Sequence, residues 1–177
     1  MSDNHHNPLN PSQFLVNNID LLPKGRALDV AMGSGRNAIY LTRMGFEVEG
    51  IDISSDAVKE ALESAHKAGL DLIARVVDLE REYHIEKDRY DVIICFNYLQ
   101  RSLIPQIKNG LRVGGVVLYE TFIIDQAQFG RSKNPDFLLK HNELLHMFRD
   151  FRCLRYHEGI VDNYKATAGI IAQKSIQ

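Results

Sequence analysis

Apolar positions along this 177-residue chain follow two rhythms, short continuous runs and a spacing of three to four residues. Ala27–Ala31, Phe46–Asp52, Leu72–Val77 and Tyr90–Phe96 predict strands, and the last is apolar enough to lie at the centre of a sheet. Val113–Thr121 reads as a turn followed by a fifth strand. Between these runs, Arg36–Met44 predicts a helix stopped by Gly45. Ser55–Ala68 predicts an amphipathic helix with Val58, Ala61, Leu62, Ala65 and Ala68 on one face, ended by Gly69. Pro11–Asp20 carries Phe14, Leu15, Val16 and Ile19 near helical spacing, with Ser12 in position to cap. Gln100–Asn109 predicts a helix whose first turns are irregular at Pro105, and Asp136–Arg149 predicts another. Ile123–Pro135 is a long loop. Phe151–Glu158 and Lys165–Gln173 are strands joined by the short turn Gly159–Tyr164, so they pair antiparallel. Residues 1–10 read as an unstructured tail ahead of a single domain, 11–177.

Strands and helices in alternation give an α/β fold, a doubly wound, mostly parallel sheet with helices on both faces. Ligands bind such sheets outside the C-terminal strand ends, where the strand order reverses. Asp29 to Arg36, Asp52, Asp78 and Asn97 fall at those ends. The chain is 45% hydrophobic and 25% charged with a net charge of −2, which gives no electrostatic case for nucleic acid or an anionic membrane as partner. No apolar run approaches the roughly 20 residues of a membrane span. The polar N-terminus lacks the apolar core of a signal peptide, so the expected location is the cytoplasm. Cys95 sits inside an apolar run as a small core residue, and with Cys153 it suggests no disulfide framework. His5 and His6 belong to the tail, and His84, His141 and His146 lack ligand spacing, so no metal site is expected.

The chemistry lies in Gly33-Ser-Gly35-Arg-Asn-Ala38, a glycine-bearing turn between a buried strand and a helix. Backbone N–H groups in such a turn approach a nucleotide-like ligand closely, and an acid at the end of the next strand, Asp52, can take a ribose diol. This pattern alone leaves both NAD and S-adenosylmethionine open. Three features favour S-adenosylmethionine. Asp29 stands just before the turn, where it faces the amino acid half of a cofactor and disfavours a pyrophosphate. Asp78-Leu-Glu80 follows the third strand, where an acid can take an adenine amine. The closing hairpin leaves no room for a second substrate domain.

Leu28-Asp-Val-Ala-Met-Gly-Ser-Gly-Arg-Asn-Ala-Ile-Tyr-Leu41 resembles motif I of class I S-adenosylmethionine-dependent methyltransferases, and its ending is similar to the tellurite-resistance methyltransferase family. Val77-Asp-Leu79, the stretch Asn142–His157 and the terminal Ala166–Lys174 extend the resemblance over about residues 11–175. The resemblance implies a seven-stranded sheet of order 3-2-1-4-5-7-6 with strand 7 antiparallel. It implies that Gly33 and Gly35 pass under the cofactor, Asp52 holds the ribose and Ile53 packs on the adenine. Asp78 and Leu79 would fix the adenine edge, with Phe96 and Asn97 under the methionine portion. Ala31 stands where the family usually has glycine, and the Gly159–Tyr164 turn is shorter than is usual there. Arg36 and Asn37 serve either the ligand or the loop itself.

The implied activity is direct in-line methyl transfer to a small-molecule acceptor by a monomer or homodimer. A soft anionic acceptor, a chalcogen oxyanion or a thiol, needs no general base; a neutral one needs His157 or Glu120. Tyr98, Arg101, Glu120 and His157 are the catalytic-side candidates, with Phe129 and Tyr156 also near strand ends or in the long loop. Arg101 and Arg155 could draw in an anion, and Ile123–Pro135 could close as a lid. A non-catalytic cofactor-binding module and an NAD-dependent oxidoreductase are the alternatives.

Overall fold

The computed structural model describes residues 10–81, 83–130, 134–162 and 164–175. The expected disordered tail, with His5 and His6, lies outside them apart from Asn10. Seven strands form one sheet: β1 (Arg26–Val30), β2 (Glu47–Asp52), β3 (Ile73–Val76), β4 (Tyr90–Phe96), β5 (Leu111–Phe122), β6 (Arg152–Val161) and β7 (Lys165–Gln173). Their order is β3-β2-β1-β4-β5-β7-β6, with β7 antiparallel to both neighbours and all other pairs parallel.

Alternation along the central strands divides the core into two layers. Leu28 and Val30 of β1 and Ile93 and Cys95 of β4 point to one face, packed by Ile104 and Ile107 of α4 (Ile104–Gly110) and Leu144 of α5 (Glu143–Met147). Ala27 of β1 and Val92, Ile94 and Phe96 of β4 point to the other. That face packs α1 (Gln13–Asn17), α2 (Arg36–Arg43) and α3 (Ser55–Lys67). Strands covered on both sides need continuous apolar sequence, which is why β4 reads as it does. Cys95 is fully buried, while Cys153 is exposed. Among the described residues no helix is long and apolar enough to cross a membrane.

The structure departs from the expected elements at several points. The buried stripe of α3 is narrower than its sequence pattern: Val58, Ala61 and Ala65 are buried, but Leu62 and Ala68 are exposed. Ser12 stands at the N-cap of α1 without capping it; its hydroxyl lies 3.4 Å from Glu120 Oε1 instead. The helix expected over Asp136–Arg149 shrinks to a 3-10 turn, Pro135–Phe137, and the five residues of α5. Leu139 is drawn into a parallel bridge with Ile123, its N–H donating to the Phe122 carbonyl at 2.9 Å. A left-handed Asn142 then restarts the chain. Burial of Leu138 and Leu139 competes with helix continuity here and wins. The loop after β5 contains a 3-10 helix, Ile124–Phe129, while residues 131–133 lie outside the described residues. β5 begins earlier than expected, at Leu111, with the predicted turn absorbed as a register shift between Leu111 and Val116, a stretch in which Gly114 takes a φ of 83°. β6 runs on to Val161, which shortens the hairpin turn.

Candidate functional site

The strand order reverses between β1 and β4, and there a cleft of about 410 Å³ opens at the C-terminal strand ends. Asp29 and Ala31 line it from β1 and the turn that follows. Gly33, Arg36 and Asn37 line it from the turn and the start of α2, Asp52 from β2, and Phe96, Asn97 and Tyr98 from β4. Eight of the twelve residues expected to bind cofactor thus line the cleft together with Tyr98, while Gly35, Ile53, Asp78 and Leu79 stand outside its wall.

Two glycines of the turn do different work. Gly33 (φ 55°) has nothing within 4 Å of where a Cβ would stand, so its backbone faces open space. Gly35 (φ 77°) has the Ala61 methyl 2.7 Å from that position, so its missing side chain lets α2 and α3 pack. Ala31 takes a left-handed φ of 54° without being glycine, and Asn97 takes 56° at the opposite wall. Both are strained positions at the cleft, where such strain concentrates.

Asp52 ties the turn to β2. Its Oδ2 accepts the Gly33 N–H at 2.8 Å and its Oδ1 accepts the Ser54 N–H at 2.9 Å. Ile53 follows, and its apolar side chain is 66% exposed at the rim. The Val77 N–H donates to the Asp52 carbonyl at 2.8 Å, which brings Asp78 and Leu79 beside this end of β2. Asp78 Oδ1 accepts the Glu80 N–H at 2.9 Å, and Leu79 is buried.

Asp29 is 2% exposed, and its Oδ2 has no hydrogen-bond partner among the described residues. Burial pushes its pKa up to about 8, against the opposing pull of the Ala38 amide and the Arg36 charge. The Tyr98 hydroxyl donates to Gln100 Oε1 at 2.8 Å, and burial pushes its pKa up to about 12, so it stays neutral.

The remaining catalytic-side candidates do not line this cleft. Arg101 spends its guanidinium on the Glu143 carboxylate, at 2.6 and 3.0 Å, and on the carbonyls of Asp136 (2.7 Å) and Leu138 (3.0 Å). It fastens the segment before α5 to the segment before α4. Arg155 donates to the carbonyl of its neighbour Leu154 at 2.9 Å. Tyr156 bonds Glu158, which also accepts the Asn142 N–H, and Phe129 packs half-buried against the core.

Glu120 and His157 meet in a separate cluster, with His157 Nε2 3.0 Å from Glu120 Oε2. Both residues pair in register with Gly169 of β7, from its two sides. A Cβ on Gly169 would stand 2.3 Å from His157 Nε2, so the absent side chain makes room for the pair. Lys165 Nζ lies 3.7 Å from Glu120, and the Phe14 ring meets the His157 ring edge to face at 4.8 Å. Burial opposes the ionised form of Glu120, but His157, Lys165 and Ser12 outweigh it and hold the carboxyl below the usual range. The Ser12 N–H donates to Asn37 Oδ1 at 2.8 Å and Arg36 Nη1 donates to the Asn10 carbonyl at 3.1 Å. Arg36 and Asn37 therefore serve the fold as well as the cleft wall.

Four residues were missed by the sequence pattern. Met32 and Ser34 also line the cleft, and both lie inside the glycine turn. A Cβ on Gly50 would collide with the Met32 sulfur, so Gly50 makes its seat. Ser12 and Lys165 complete the Glu120 cluster; a glycine inside the apolar run of β7 was the available signal of close approach there. Among the described residues no three His, Cys, Asp or Glu side chains gather as a metal site would need.

The model of the family described as tellurite resistance protein TehB matches residues 6–170. Hemagglutinin 1 of Eikenella corrodens is 30% identical over 142 residues, covering 76% of this chain and 46% of that protein. A Haemophilus influenzae protein named "Probable S-adenosyl-L-methionine-dependent methyltransferase TehB" is 27% identical over 150 residues, covering 79% of this chain and 50% of that protein. The chain spans about half the length of the curated relatives it matches. The crystal structure of TehB from Haemophilus influenzae shares the fold, with a TM-score of 0.75 at 21% identity over 98% of this chain and 64% of that one. A family match over nearly the whole chain, on the sheet order and glycine turn described above, settles its kinship: the chain belongs to the tellurite resistance protein TehB family.

Proposed function

We propose that this protein is an S-adenosylmethionine-dependent methyltransferase that acts on a small molecule by direct in-line transfer. The observation that carries this reading is the wall of the cleft, where Asp52 is fixed against Gly33 and Asp29 presents an unpartnered buried oxygen. The cleft fits such a cofactor in its chemistry. An ionisable carboxyl suits a cationic group, a fixed strand-end acid suits a ribose diol, and the exposed Ile53 suits an adenine face. Family membership and the name of the Haemophilus influenzae relative support the same reading.

In this reading Asp52 holds the ribose hydroxyls with the lone pairs its backbone donors leave free. Ile53 covers one adenine face, and Asp78 and Leu79 border its edge. Ala31 and Gly33 keep the backbone low beneath the ligand, Gly35 lets α2 pack on α3 behind it, and Phe96 and Asn97 floor the methionine end. S-adenosylmethionine, when bound, supplies a methyl group on a sulfonium that is already a good leaving group. The protein's contribution is then positioning, which supplies as much as about 7–11 kcal/mol in well-oriented systems.

The acceptor is a soft anion, a chalcogen oxyanion or a thiolate. Supporting this, Tyr98 is neutral, and Glu120 and His157, the two bases expected for a neutral acceptor, bond each other and do not line the cleft. The experiment is S-adenosylhomocysteine release by the purified protein with tellurite, selenite and a small thiol panel, against a no-acceptor blank. Release above the blank with one of these acceptors is expected. Cofactor binding with no release from any of them overturns the acceptor class.

A further inference from the structure

We propose that Asp29 is a proton-exchanging counter-charge, which sheds a proton to solvent as the positive charge of the cofactor enters the cleft and regains one as that charge leaves. This rests on the cofactor reading above and adds a coupling to it. Asp29 lies near the C-terminal end of β1, 2% exposed, on the wall of the cleft. One carboxyl oxygen is without a partner among the described residues, so the group is aimed at a ligand rather than consumed by the fold.

The surroundings hold no charge that would settle it as a carboxylate. Arg36 approaches from α2 and favours ionisation, but its guanidinium also donates to the Asn10 carbonyl; Asp52 on β2 disfavours it. The Cys95 thiol on β4 and the Tyr98 hydroxyl beyond it are both pushed up to about 12 by burial and are neutral. The Ala38 amide supplies a hydrogen bond from α2. With burial dominant, the carboxyl of the ligand-free protein is raised to about 8 and is protonated at neutral pH. A cation placed in this poorly solvated site favours the carboxylate far more than it would in water, so its arrival expels the proton. Affinity then rises with pH by up to about tenfold per unit while the free carboxyl is protonated, and levels off above its pKa.

The test is calorimetric titration of the full chain and of Asp29→Asn with S-adenosylmethionine between pH 6 and 8.5, in buffers of different ionisation heat. S-adenosylhomocysteine, with the same amine and no sulfonium charge, is titrated in parallel to account for the ligand's own amine. The wild-type protein should release close to one proton per site at pH 7 more than the variant, and its Kd should fall with pH where the variant's stays flat. Equal proton release by both, or a wild-type Kd independent of pH, overturns the proposal. If the variant fails to fold by circular dichroism, the wild-type pH series with S-adenosylmethionine against S-adenosylhomocysteine decides, and equal proton release with the two ligands overturns the proposal. Binding without proton release sinks only the role of Asp29, whereas no binding at any pH sinks the cofactor reading and this proposal with it.

Discussion

Asp52 accepts the backbone N–H of Gly33 at 2.8 Å, joining the end of β2 to the glycine turn after β1. The same carboxylate accepts the Ser54 N–H at 2.9 Å, so one side chain sets the height of the turn and the exit of the strand. Hydrogen bonds to a charged group contribute about 1.5–3 kcal/mol each. Losing the contacts to a ribose diol should therefore weaken S-adenosylmethionine binding by about 100-fold in Asp52→Ala, measured by calorimetry. Unchanged affinity removes Asp52 from the site.

The turn residues separate ligand space from packing space. Gly35→Ala places a methyl against Ala61 at a left-handed φ and should cost about 1–3 kcal/mol in urea unfolding. Gly33→Ala meets no atom within 4 Å and should cost about 1 kcal/mol, from its φ alone. Ala31→Gly relieves a strained alanine and should stabilise the fold by up to about 1 kcal/mol. A Gly33→Ala loss as large as that of Gly35→Ala contradicts the division.

Glu120 gives an acid-side dependence. Its folded carboxyl sits below the usual value of 4.5, so the unfolded chain takes up the proton first as the pH falls. Its stabilising contribution is present above that value and lost as the pH drops through the folded value. Glu120→Gln should destabilise the protein by about 2 kcal/mol at pH 7, with the gap to wild type closing under acid. Thermal melts between pH 3 and 7 read this directly, and a gap that persists in acid contradicts it.

Asp29 acts with the opposite sign. Between 3.8 and about 8 the ligand-free folded protein holds a proton that the unfolded chain has released. Stability then declines as the pH rises across that window, by at most about 1.4 kcal/mol per unit. Asp29→Asn should flatten this slope and leave the ligand-free protein more stable than wild type at pH 8.5, by urea unfolding. A wild-type slope retained in the variant contradicts the assignment.

Arg101 is a fastening. Arg101→Ala should cost about 1–3 kcal/mol, a fall of a few degrees in Tm, while S-adenosylmethionine affinity stays within about twofold. A large loss of affinity at unchanged Tm would return Arg101 to the site.

The sheet was legible because its central parallel strands advertise their two-sided burial: Tyr90–Phe96 fits only the centre, and β4 occupies it. The cleft was legible because Asp29, Gly33 and Asp52 sit at or just beyond strand ends that a doubly wound order brings together. Legibility failed where long-range contacts decide. Leu139 carries a helical pattern, yet its bridge to Ile123 breaks the helix. Arg101 looks available for an anion until Glu143, 42 residues away, takes its fork. Glu120 and His157 are separated by 37 residues, and only the register of β7 shows that Gly169 lets them meet. Local pattern carries no record of such partners.

The most direct test of the account is calorimetric titration of the purified protein with S-adenosylmethionine and, in parallel, with NAD. The account predicts saturable one-site binding of S-adenosylmethionine that Asp52→Ala weakens about 100-fold, and no binding of NAD. Saturable NAD binding, or no binding of S-adenosylmethionine, would contradict it.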